Sequence, residues 1–362
     1  MRIFILANQA DYVYKLRKEL LLDLVDNNDV YVLCAPHRIM NELVNKGCIF
    51  IPIIYDRHSI NIFKEFKILF AYYNIFQRVR PDVVLAYTIK PIIYGCFVSS
   101  LLKIPCIPTV TGLGTALYDG GIVSKIVKKM YKIVLKRAKY VVFQNQANLD
   151  YMVKNHIVTG RYILVNGSGV NIEQFAYIPY PINDDIINIL FVGRLMRDKG
   201  ILELFDAAKI LHDKGYRNVK IQVIGFCEDD FKKQLESLNL SPNIELCGYQ
   251  ENVKPYIEYA HAVVLPSYHE GMSNSLLEAA SCGRPLIASD IPGCREIIAN
   301  YQTGILCKPR DVDSLVSALT YFIELPYEEK RQMGINGRKK VEKSFDRKTI
   351  VAKYKEIIYG DK

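Results

Sequence analysis

Short β-branched runs alternate with longer helix-like segments along the chain, and this alternation limits the fold more than any other feature. In the first half the strand-like runs are RIFILA, VYVLC, IFIPI, VVLA, CIPTV, YVVFQ and YILV. The cycle then restarts with INILFVG, VKIQVIG, NIELCG, AVVLP and PLIAS, and a helical tail follows over residues 327–358. Because parallel strands need a crossover element between them, the alternation predicts an α/β fold with parallel sheets.

A break in this pattern divides the chain into two similar parts. Glycine, proline and asparagine cluster without apolar periodicity in NGSGVNIEQFAYIPYPINDD. We therefore predict two Rossmann-like domains, at 1–165 and 187–345, with a linker at 166–186. A C-terminal helix at 346–362 is expected to pack back on the first domain. Ligands bind beyond the carboxyl ends of parallel strands, so a site is expected in a cleft that two such domains face.

Composition excludes several classes of protein. Half of the residues are hydrophobic and 23% are charged, which excludes a disordered chain, a collagen-like fibre and a small disulfide scaffold. The nine cysteines include no CxxC pair, so we expect reduced core thiols in a cytosolic protein. The opening MRIFILANQAD is typical of a first strand, not of an export signal. No stretch approaches the roughly 20 apolar residues of a membrane-spanning helix.

The positive charge lies in the first half. Residues 1–165 contain 22 Lys/Arg against 11 Asp/Glu, a net +11, whereas residues 166–362 contain 25 against 27, a net −2. The first half is therefore expected to meet an anionic partner, and nucleic acid, a membrane surface and phosphorylated substrates all qualify.

The most informative motif is a strand, a loop and a helix start in HAVVLPSYHEGMSNSLLEAAS. The loop contains Glu270 and Gly271, and the helix is expected to begin near Ser273. Such a loop presents free backbone N–H groups and the positive end of a helix dipole, which suit a phosphate. Glu270 precedes the helix and Glu278 lies about one turn inside it. Ser275 and Glu278 also have the spacing of a helix capping box, which is a structural alternative.

Two cations follow the first strand of the second half, in FVGRLMRDKGILEL. Arg194 is expected at the end of that strand and Lys199 at the start of the next helix. Cations at the mouth of a parallel sheet suit a diphosphate, because they can neutralise the charge that develops on a departing phosphate oxygen. A pair of solvated surface cations is the alternative.

These motifs resemble the pattern of glycosyltransferase family 4, whose members have the GT-B fold. The resemblance rests on FVGRLMRDKG, on EGMSNSLLE with its E-x7-E spacing at Glu270 and Glu278, and on AASCGRPLIAS. Weaker matches are YTIKPIIYG, TGLGTALYDGG and NGSGV. The chain is similar to bacterial transferases that build capsule, O-antigen and lipid-linked oligosaccharides.

The resemblance implies that the domain at 1–165 binds the acceptor and that the domain at 187–345 binds the nucleotide-sugar. It also implies a role for each matching position. Arg194 and Lys199 would bind the donor's diphosphate, and Glu278 would bind the ribose hydroxyls. Glu270 would contact the transferred sugar and stabilise positive charge at its anomeric carbon, so Glu270, Arg194 and Lys199 form the catalytic set. Further donor-binding residues would be Gly193, Gly271, Met272, Ser273, Asn274 and Ser275. The family retains the anomeric configuration without a metal or another cofactor.

Three further features complete this interpretation. Asp311 and Asp313 have the spacing of a metal-binding Asp-x-Asp, but they are expected to open a helix, so no metal site is predicted. Many family members carry glycines after the first strand, where this chain has residues 8–11, Asn-Gln-Ala-Asp. Many also carry a histidine where Thr111 stands, and that histidine usually contacts the donor sugar. Thr111, Gly112 and Gly114 would form a donor or acceptor loop, but without the histidine the resemblance does not determine which sugar is transferred.

The segment from Ile122 to Lys139 contains no acidic residue and predicts a two-faced helix. At 100° per residue its lysines fall within an arc of about 100°; the membrane-facing candidates are Lys125, Lys128, Lys129, Lys132 and Lys136. The opposite face would carry Val123, Ile126, Val127, Met130 and Val134. Such a helix can lie on anionic lipid, each cation contributing about 1 kcal/mol near the surface. A core-packed helix with solvated lysines is the alternative.

The leading hypothesis is a retaining transferase that moves a hexose or N-acetylhexosamine from a UDP-sugar to a polyprenyl-diphosphate-linked saccharide. It would work at the cytoplasmic face of the plasma membrane as a peripheral protein, with no nucleic-acid partner and no cofactor. A sugar-nucleotide epimerase on the same scaffold is one alternative, and it would release free sugar or its epimer without an acceptor. A non-enzymatic anion-binding or nucleic-acid-binding protein is the other, and it would bind DNA with steep salt dependence.

Overall fold

The computed structural model describes residues 1–54, 62–112, 121–182, 185–227, 229–238 and 240–360. Its contacts divide the chain into two compact units. The N-terminal unit comprises Met1–Ser168 and Lys348–Lys362, and the C-terminal unit comprises Gly169–Arg347. Each unit is built on one parallel sheet.

The N-terminal unit has a seven-stranded sheet in the order β3-β2-β1-β4-β5-β6-β7. Its strands are β1 (Arg2–Gln9), β2 (Asp29–Ala35), β3 (Ile49–Pro52), β4 (Val83–Tyr87), β5 (Cys106–Val110), β6 (Val141–Phe143) and β7 (Tyr162–Leu164). Its helices before the second unit are α1 (Ala10–Val25), α2 (Met40–Asn45), α3 (Ile62–Val79), α4 (Ile89–Leu102), α5 (Ile122–Leu135) and α6 (Gln146–Lys154).

The two faces of this sheet bury separate apolar cores, because successive side chains of a strand point to opposite faces. Phe4 and Leu6 of β1 share one core with buried side chains of α3, α4 and α5. Ile3 and Ile5 share the other core with α1 and with residues 350–358. The helices α3, α4 and α5 therefore form one layer on the first face.

The C-terminal unit has a six-stranded sheet in the order β10-β9-β8-β11-β12-β13. Its strands are β8 (Ile187–Val192), β9 (Val219–Ile224), β10 (Ile244–Gly248), β11 (Ala262–Leu265), β12 (Leu286–Ser289) and β13 (Gly304–Cys307). Its helices are α7 (Ile201–Asp213), α8 (Asp229–Glu236), α9 (Lys254–Tyr259), α10 (Asn274–Ser281), α11 (Val312–Glu324) and α12 (Tyr327–Ser344). The last helix, α13 (Arg347–Tyr359), belongs to the N-terminal unit from Lys348 onward.

The predicted fold class is confirmed, and each predicted strand-like run contains a strand. The edge strand β13 was not predicted. It is only four residues long and opens with Gly304, so it lacks a β-branched run at its start. Gly304 is required there because a Cβ would lie 2.2 Å from the carbonyl oxygen of Leu286. A close approach of this kind leaves no local pattern in the sequence.

Residues 178 and 179 of the predicted linker are held on the C-terminal unit by a buried arginine. Arg284 is fully buried, and its guanidinium donates to the carbonyl oxygens of Ile178 (3.0 Å) and Pro179 (2.9 Å). It also donates to the carbonyl oxygens of Ile257 and Glu258, at 2.8 and 3.0 Å. Burial lowers the pKa of Arg284 from its ordinary value. These carbonyl partners, with those of Cys282 and Gly283 at 3.4 Å, compensate for the lost hydration of this cation.

The apolar face of the basic helix is only partly buried. Ile126 is 53% exposed, and Ile133 is 59% exposed. The helix packs instead through Tyr131, Val134 and Leu135, which are nearly inaccessible to solvent. At 100° per residue, Ile126 lies about 140° around the helix from Tyr131 and so faces away from this core contact.

All nine cysteines are free thiols, and seven of them are buried. Burial raises the pKa of the Cys34, Cys48 and Cys307 thiols to about 12. These thiols are therefore protonated near neutral pH and are poor nucleophiles. Within the described residues, no helix combines the length and apolar character needed to cross a bilayer.

Candidate active site

The strand order of the C-terminal sheet reverses between β8 and β11, which are hydrogen-bonded neighbours. A crevice opens at the carboxyl ends of the strands at such a point, and open α/β sheets bind their ligands there. Arg194 follows β8 by two residues, and Lys199 ends a 3-10 turn at Arg197–Lys199. Glu270 lies in the loop that follows β11. The sequence-predicted catalytic set therefore occupies the loops at this reversal point.

Lys199 and Glu270 form a direct ion pair. The Lys199 Nζ lies 2.5 Å from Glu270 Oε1, and both side chains are partly buried. Ser267 Oγ donates to the same carboxylate oxygen at 2.8 Å. From the sequence, these two charges were expected to contact different parts of a donor, and their pairing was not predicted. The signal for Ser267 was its position two residues after the end of β11.

Gly200 brings the loops after β8 and β11 together. It has a φ of +68°, and a Cβ at this position would lie 2.0 Å from the carbonyl oxygen of Pro266. A second link joins the same loops, because the Tyr268 N–H donates to the Asp198 carbonyl at 2.9 Å. These two contacts set the distance between Lys199 and Glu270.

The N-terminus of α10 follows the glutamate loop. Ser273 is its N-cap, and the Leu276 N–H donates to Ser273 Oγ at 3.4 Å. The capping residue is therefore Ser273, not the alternative Ser275. Glu278 lies in the fifth position of the helix, about one turn inside it.

The donor-binding candidates beside this N-terminus differ in what they can offer. The side chains of Met272 and Ser273 are buried in the unit, and the Ser273 N–H donates to the Gly293 carbonyl, so the Met272 backbone is the part available to a ligand. Asn274 and Ser275 are half-buried, and Ser275 Oγ lies 3.3 Å from Ser273 Oγ. Asn274 Oδ1 is buried without a hydrogen-bond partner among the described residues.

The loop after β12 supports the glutamate loop, and sequence reasoning missed it. A Cβ at Gly293 would lie 2.7 Å from the carbonyl oxygen of Gly271. The Ser273 N–H donates to the Gly293 carbonyl at 3.3 Å, and the Gly293 N–H donates to Glu296 Oε2 at 2.5 Å. The turn that carries Gly271 is thus packed against a second loop.

A similar contact lies at the end of β8. A Cβ on Gly225 would lie 1.7 Å from the Gly193 carbonyl oxygen, so these two backbones touch. The predicted donor-binding residue Gly193 is half-buried there, and Arg194 beside it is exposed.

Tyr268 and Arg310 add a polar and cationic edge to the site. The Tyr268 hydroxyl donates to Glu203, and the Arg310 guanidinium lies 4.5 Å from the centre of the Tyr268 ring. Partial burial and the Glu203 carboxylate raise the pKa of Tyr268 to about 12, so it stays a neutral donor near pH 7. Arg310 was missed because it follows β13, the strand that the sequence did not predict.

The N-terminal unit places polar groups at the carboxyl edge of its own sheet. Thr111 and Gly112 follow β5 directly and are half-buried, and Gly114 lies outside the described residues. The Oδ1 atoms of Asn8 and Asp11 are buried, and neither has a hydrogen-bond partner within the described part of the chain. These two oxygens lie in the segment 8–11, where many members of glycosyltransferase family 4 have glycines. Both oxygens can accept hydrogen bonds from hydroxyl groups.

The candidate membrane-facing lysines do not share one environment. Lys125, Lys129, Lys132 and Lys136 are exposed. Lys128 is half-buried, and its Nζ lies 5.4 Å from the centre of the Tyr151 ring on α6. The four exposed lysines therefore form the cationic face of α5 and its C-terminal end.

The acidic pair near residue 311 has a structural role. Asp311 caps α11 by accepting the Ser314 N–H at 2.8 Å, and Asp313 lies in the first turn. Carboxylates are favourable at both positions because of the helix dipole. Over the described ranges, no group of three or more His, Cys, Asp or Glu side chains could hold a metal ion.

Two family models and several curated proteins match this chain. A family described as "Glycosyl transferases group 1" matches residues 178–340, and "Glycosyl transferase 4-like" matches residues 2–145. A relative from Campylobacter jejuni, N,N'-diacetylbacillosaminyl-diphospho-undecaprenol alpha-1,3-N-acetylgalactosaminyltransferase, is 26% identical, and the match covers 90% of each chain. UDP-Gal:alpha-D-GlcNAc-diphosphoundecaprenol alpha-1,3-galactosyltransferase from Escherichia coli is 25% identical over 80% of this chain and 79% of its own.

The fold has close matches among solved structures. Anabaena HepE, solved in complex with UDP and glucose, aligns with a TM-score of 0.80 at 16% identity, covering 99% of this chain and all of the other. This likeness concerns the architecture of two Rossmann-like units. Together with the two family matches, which cover most of the chain, it shows that the protein belongs to the glycosyltransferases of GT-B fold, with a 4-like N-terminal part and a group 1 C-terminal part.

Proposed function

We propose that the protein transfers a hexose or N-acetylhexosamine from a UDP-sugar to a polyprenyl-diphosphate-linked saccharide, with retention of the anomeric configuration. The observation that carries this proposal is the Lys199–Glu270 pair, with Arg194 nearby in sequence, at the point where the strand order reverses. Cations and a helix N-terminus in one crevice favour a nucleotide diphosphate, and a carboxylate beside them suits the polyhydroxylated sugar.

Each residue has a part in the proposed donor complex. Arg194 and Lys199 bind the diphosphate, and its distal phosphate is received by backbone N–H groups of 271–275 other than that of Ser273, which donates to the Gly293 carbonyl. Glu278 accepts hydrogen bonds from the ribose, and Glu270 accepts hydrogen bonds from the transferred sugar. The bond between the anomeric carbon and the diphosphate oxygen breaks as the acceptor oxygen bonds to the same face of that carbon. The acceptor's proton passes to the departing diphosphate, whose growing charge the two cations stabilise.

The names of the relatives support the choice of acceptor. Both curated relatives are named for acceptors in which a sugar is linked through a diphosphate to undecaprenol, and one is named for UDP-Gal. In this chain, the buried oxygens of Asn8 and Asp11 at the carboxyl edge of the N-terminal sheet are the groups we assign to acceptor hydroxyls. Peripheral attachment to anionic lipid through the exposed lysines of α5 is part of the same proposal, in assembly of bacterial surface polysaccharide.

Donor binding provides the direct test. In a thermal-shift panel of UDP- and GDP-sugars, we expect one or more UDP-sugars to raise the melting temperature, because a ligand of the native state stabilises it. Glu278→Gln should weaken this donor by about tenfold or more, since it weakens hydrogen bonds to a charged acceptor. Glu236→Gln, an exposed glutamate at the end of α8, is the control and should bind like the wild type. Absence of any nucleotide-sugar shift, or release of an epimer without acceptor, contradicts the proposal.

Chelation tests the metal-independent mechanism. The proposed catalysis uses cationic side chains in place of a divalent ion, so adding EDTA should leave turnover unchanged. The measurement is transfer to an acceptor before and after dialysis against chelator, with Mg²⁺ added back. A large loss that Mg²⁺ restores would show that an ion carries the diphosphate charge instead.

A further inference from the structure

Three phenylalanines on α3 stand in solvent. Phe63, Phe66 and Phe70 are 81%, 63% and 65% exposed. At 100° per residue these positions fall within an arc of about 60° on the helix. The opposite face of the same helix carries Tyr72 and Phe76, which are fully buried in the core. The three exposed rings therefore lie on the side of α3 that does not pack against the core.

The neighbouring helices extend this apolar surface. α3 packs against α4, and α4 packs against α5, on one face of the N-terminal sheet. Each helix of the layer exposes large apolar side chains on the side that faces away from its buried residues. We call the resulting set the aromatic layer surface: Phe63, Phe66, Phe70, Phe97, Leu101, Ile126 and Ile133. An exposed apolar surface of this extent marks an interaction site in a soluble protein.

The charge around this surface is positive. The exposed lysines of α5 flank Ile126 and Ile133, and Lys67 is exposed between Phe66 and Phe70. In the sequences of α3, α4 and α5 the only acidic residue is Glu65. Its carboxylate lies 2.6 Å from Lys90 Nζ and accepts the Tyr94 hydroxyl, so its charge is neutralised within the layer.

We propose that the aromatic layer surface inserts its phenylalanine rings into the interface of an anionic bilayer, with the lysines of α5 on the headgroups. Apolar side chains interspersed with cations are the composition of surfaces that lie in a membrane interface. A second copy of this chain fits less well, because two such faces would bring like charges together. The choice of lipid over a protein partner rests on the proposed lipid-linked acceptor. The new element is that aromatic insertion, and not lysine attraction alone, holds the protein on the bilayer.

The chain contains no tryptophan, so one introduced ring reports on insertion. Phe66→Trp is expected to show a blue-shifted emission, and quenching by brominated lipid, with vesicles of phosphatidylglycerol and phosphatidylcholine. Tyr259→Trp is the matched control, because Tyr259 is 67% exposed but lies in the C-terminal unit. It should not respond. An unchanged emission from the Phe66→Trp variant, or an equal response from both reporters, overturns the proposal.

Two multiply substituted variants separate the apolar contribution to vesicle binding from the electrostatic contribution. Replacing Phe63, Phe66 and Phe70 with serine should weaken vesicle binding at high salt by at least about tenfold, because burial of the rings is lost and salt does not screen it. Replacing Lys125, Lys129, Lys132 and Lys136 with glutamine should weaken binding mainly at low salt. Equal binding by the serine variant and the wild type at high salt contradicts aromatic insertion.

The same variants also test whether the serine substitutions unfold the protein and whether a second copy of the chain, and not lipid, covers this surface. Because the three rings are exposed, the serine variant should melt like the wild type and bind a UDP-sugar equally well. Failure of the vesicle assay with donor binding intact would sink this inference alone, whereas loss of donor binding in the wild type would sink the proposed function. A blue shift of the Phe66→Trp variant that appears without lipid and grows with protein concentration would identify a second copy as the occupant and overturn the lipid assignment.

Discussion

Alanine at Lys199 is expected to lower kcat by about 10²–10³-fold, the typical effect of removing one preorganised group that stabilises transition-state charge. The substitution has two effects, and both are expected to lower kcat. The departing diphosphate loses a cation, and Glu270 loses the ammonium that lies 2.5 Å from its Oε1. An unneutralised carboxylate would then face the incoming diphosphate and repel it. Arg194→Ala should produce a loss of similar size, measured as transfer rate at saturating donor.

The ion pair allows a sharper experiment than the single variants. If Lys199 acts partly by neutralising Glu270, Lys199→Ala and Glu270→Gln should be strongly non-additive, because residues in contact couple. Lys220 and Glu245 supply the matched control, since their exposed charges lie 2.8 Å apart on β9 and β10. Lys220→Ala should leave kcat within about twofold of the wild type, as an exposed ion pair contributes little. Wild-type kinetics in an Arg194→Ala, Lys199→Ala double variant would refute the diphosphate assignment.

Alanine at Gly200 is expected to destabilise the C-terminal unit by at least about 2 kcal/mol, because the residue has a positive φ and its Cβ would overlap a neighbouring backbone. The Cβ would lie 2.0 Å from the Pro266 carbonyl oxygen, so the loops after β8 and β11 must separate. Lys199 immediately precedes this position, and a displacement of about 1 Å can cost about a hundredfold in rate. Both the free energy of unfolding and kcat should therefore fall.

A substitution at Gly215 separates the effect of backbone strain from the effect of the contact with Pro266. It also has a positive φ, +95°, but among the described residues no atom lies within 4 Å of its added Cβ. Gly215→Ala should therefore cost only the backbone strain, about 1 kcal/mol, and leave kcat unchanged. The measurements are urea unfolding and steady-state transfer on the two variants. If Gly200→Ala behaves like Gly215→Ala, the contact with Pro266 does not set the geometry of the site.

Much of the candidate site could be predicted from the sequence, because its charged residues lie in loops that follow strands. Arg194, Lys199 and Glu270 were found by asking which charged residues come directly after apolar runs, and the reversal of strand order between β8 and β11 brings those loops together. The pairing of Lys199 with Glu270 was not predictable in this way, because the two are 71 positions apart. Arg310 was missed for a related reason, since it follows a strand whose short, glycine-opened sequence gives a weak signal.

Local pattern by itself determined the class of this protein: alternating strands and helices, two parallel sheets, and a glycine-containing loop before a helix. These features depend on residues a few positions apart, where periodicity and backbone preferences act. Tertiary structure alone decided which side of α5 faces the core, which carboxylate Lys199 meets, and that three phenylalanines of α3 remain in solvent. Such outcomes depend on the volumes and charges of side chains that are distant in the chain, and no local pattern encodes those contacts.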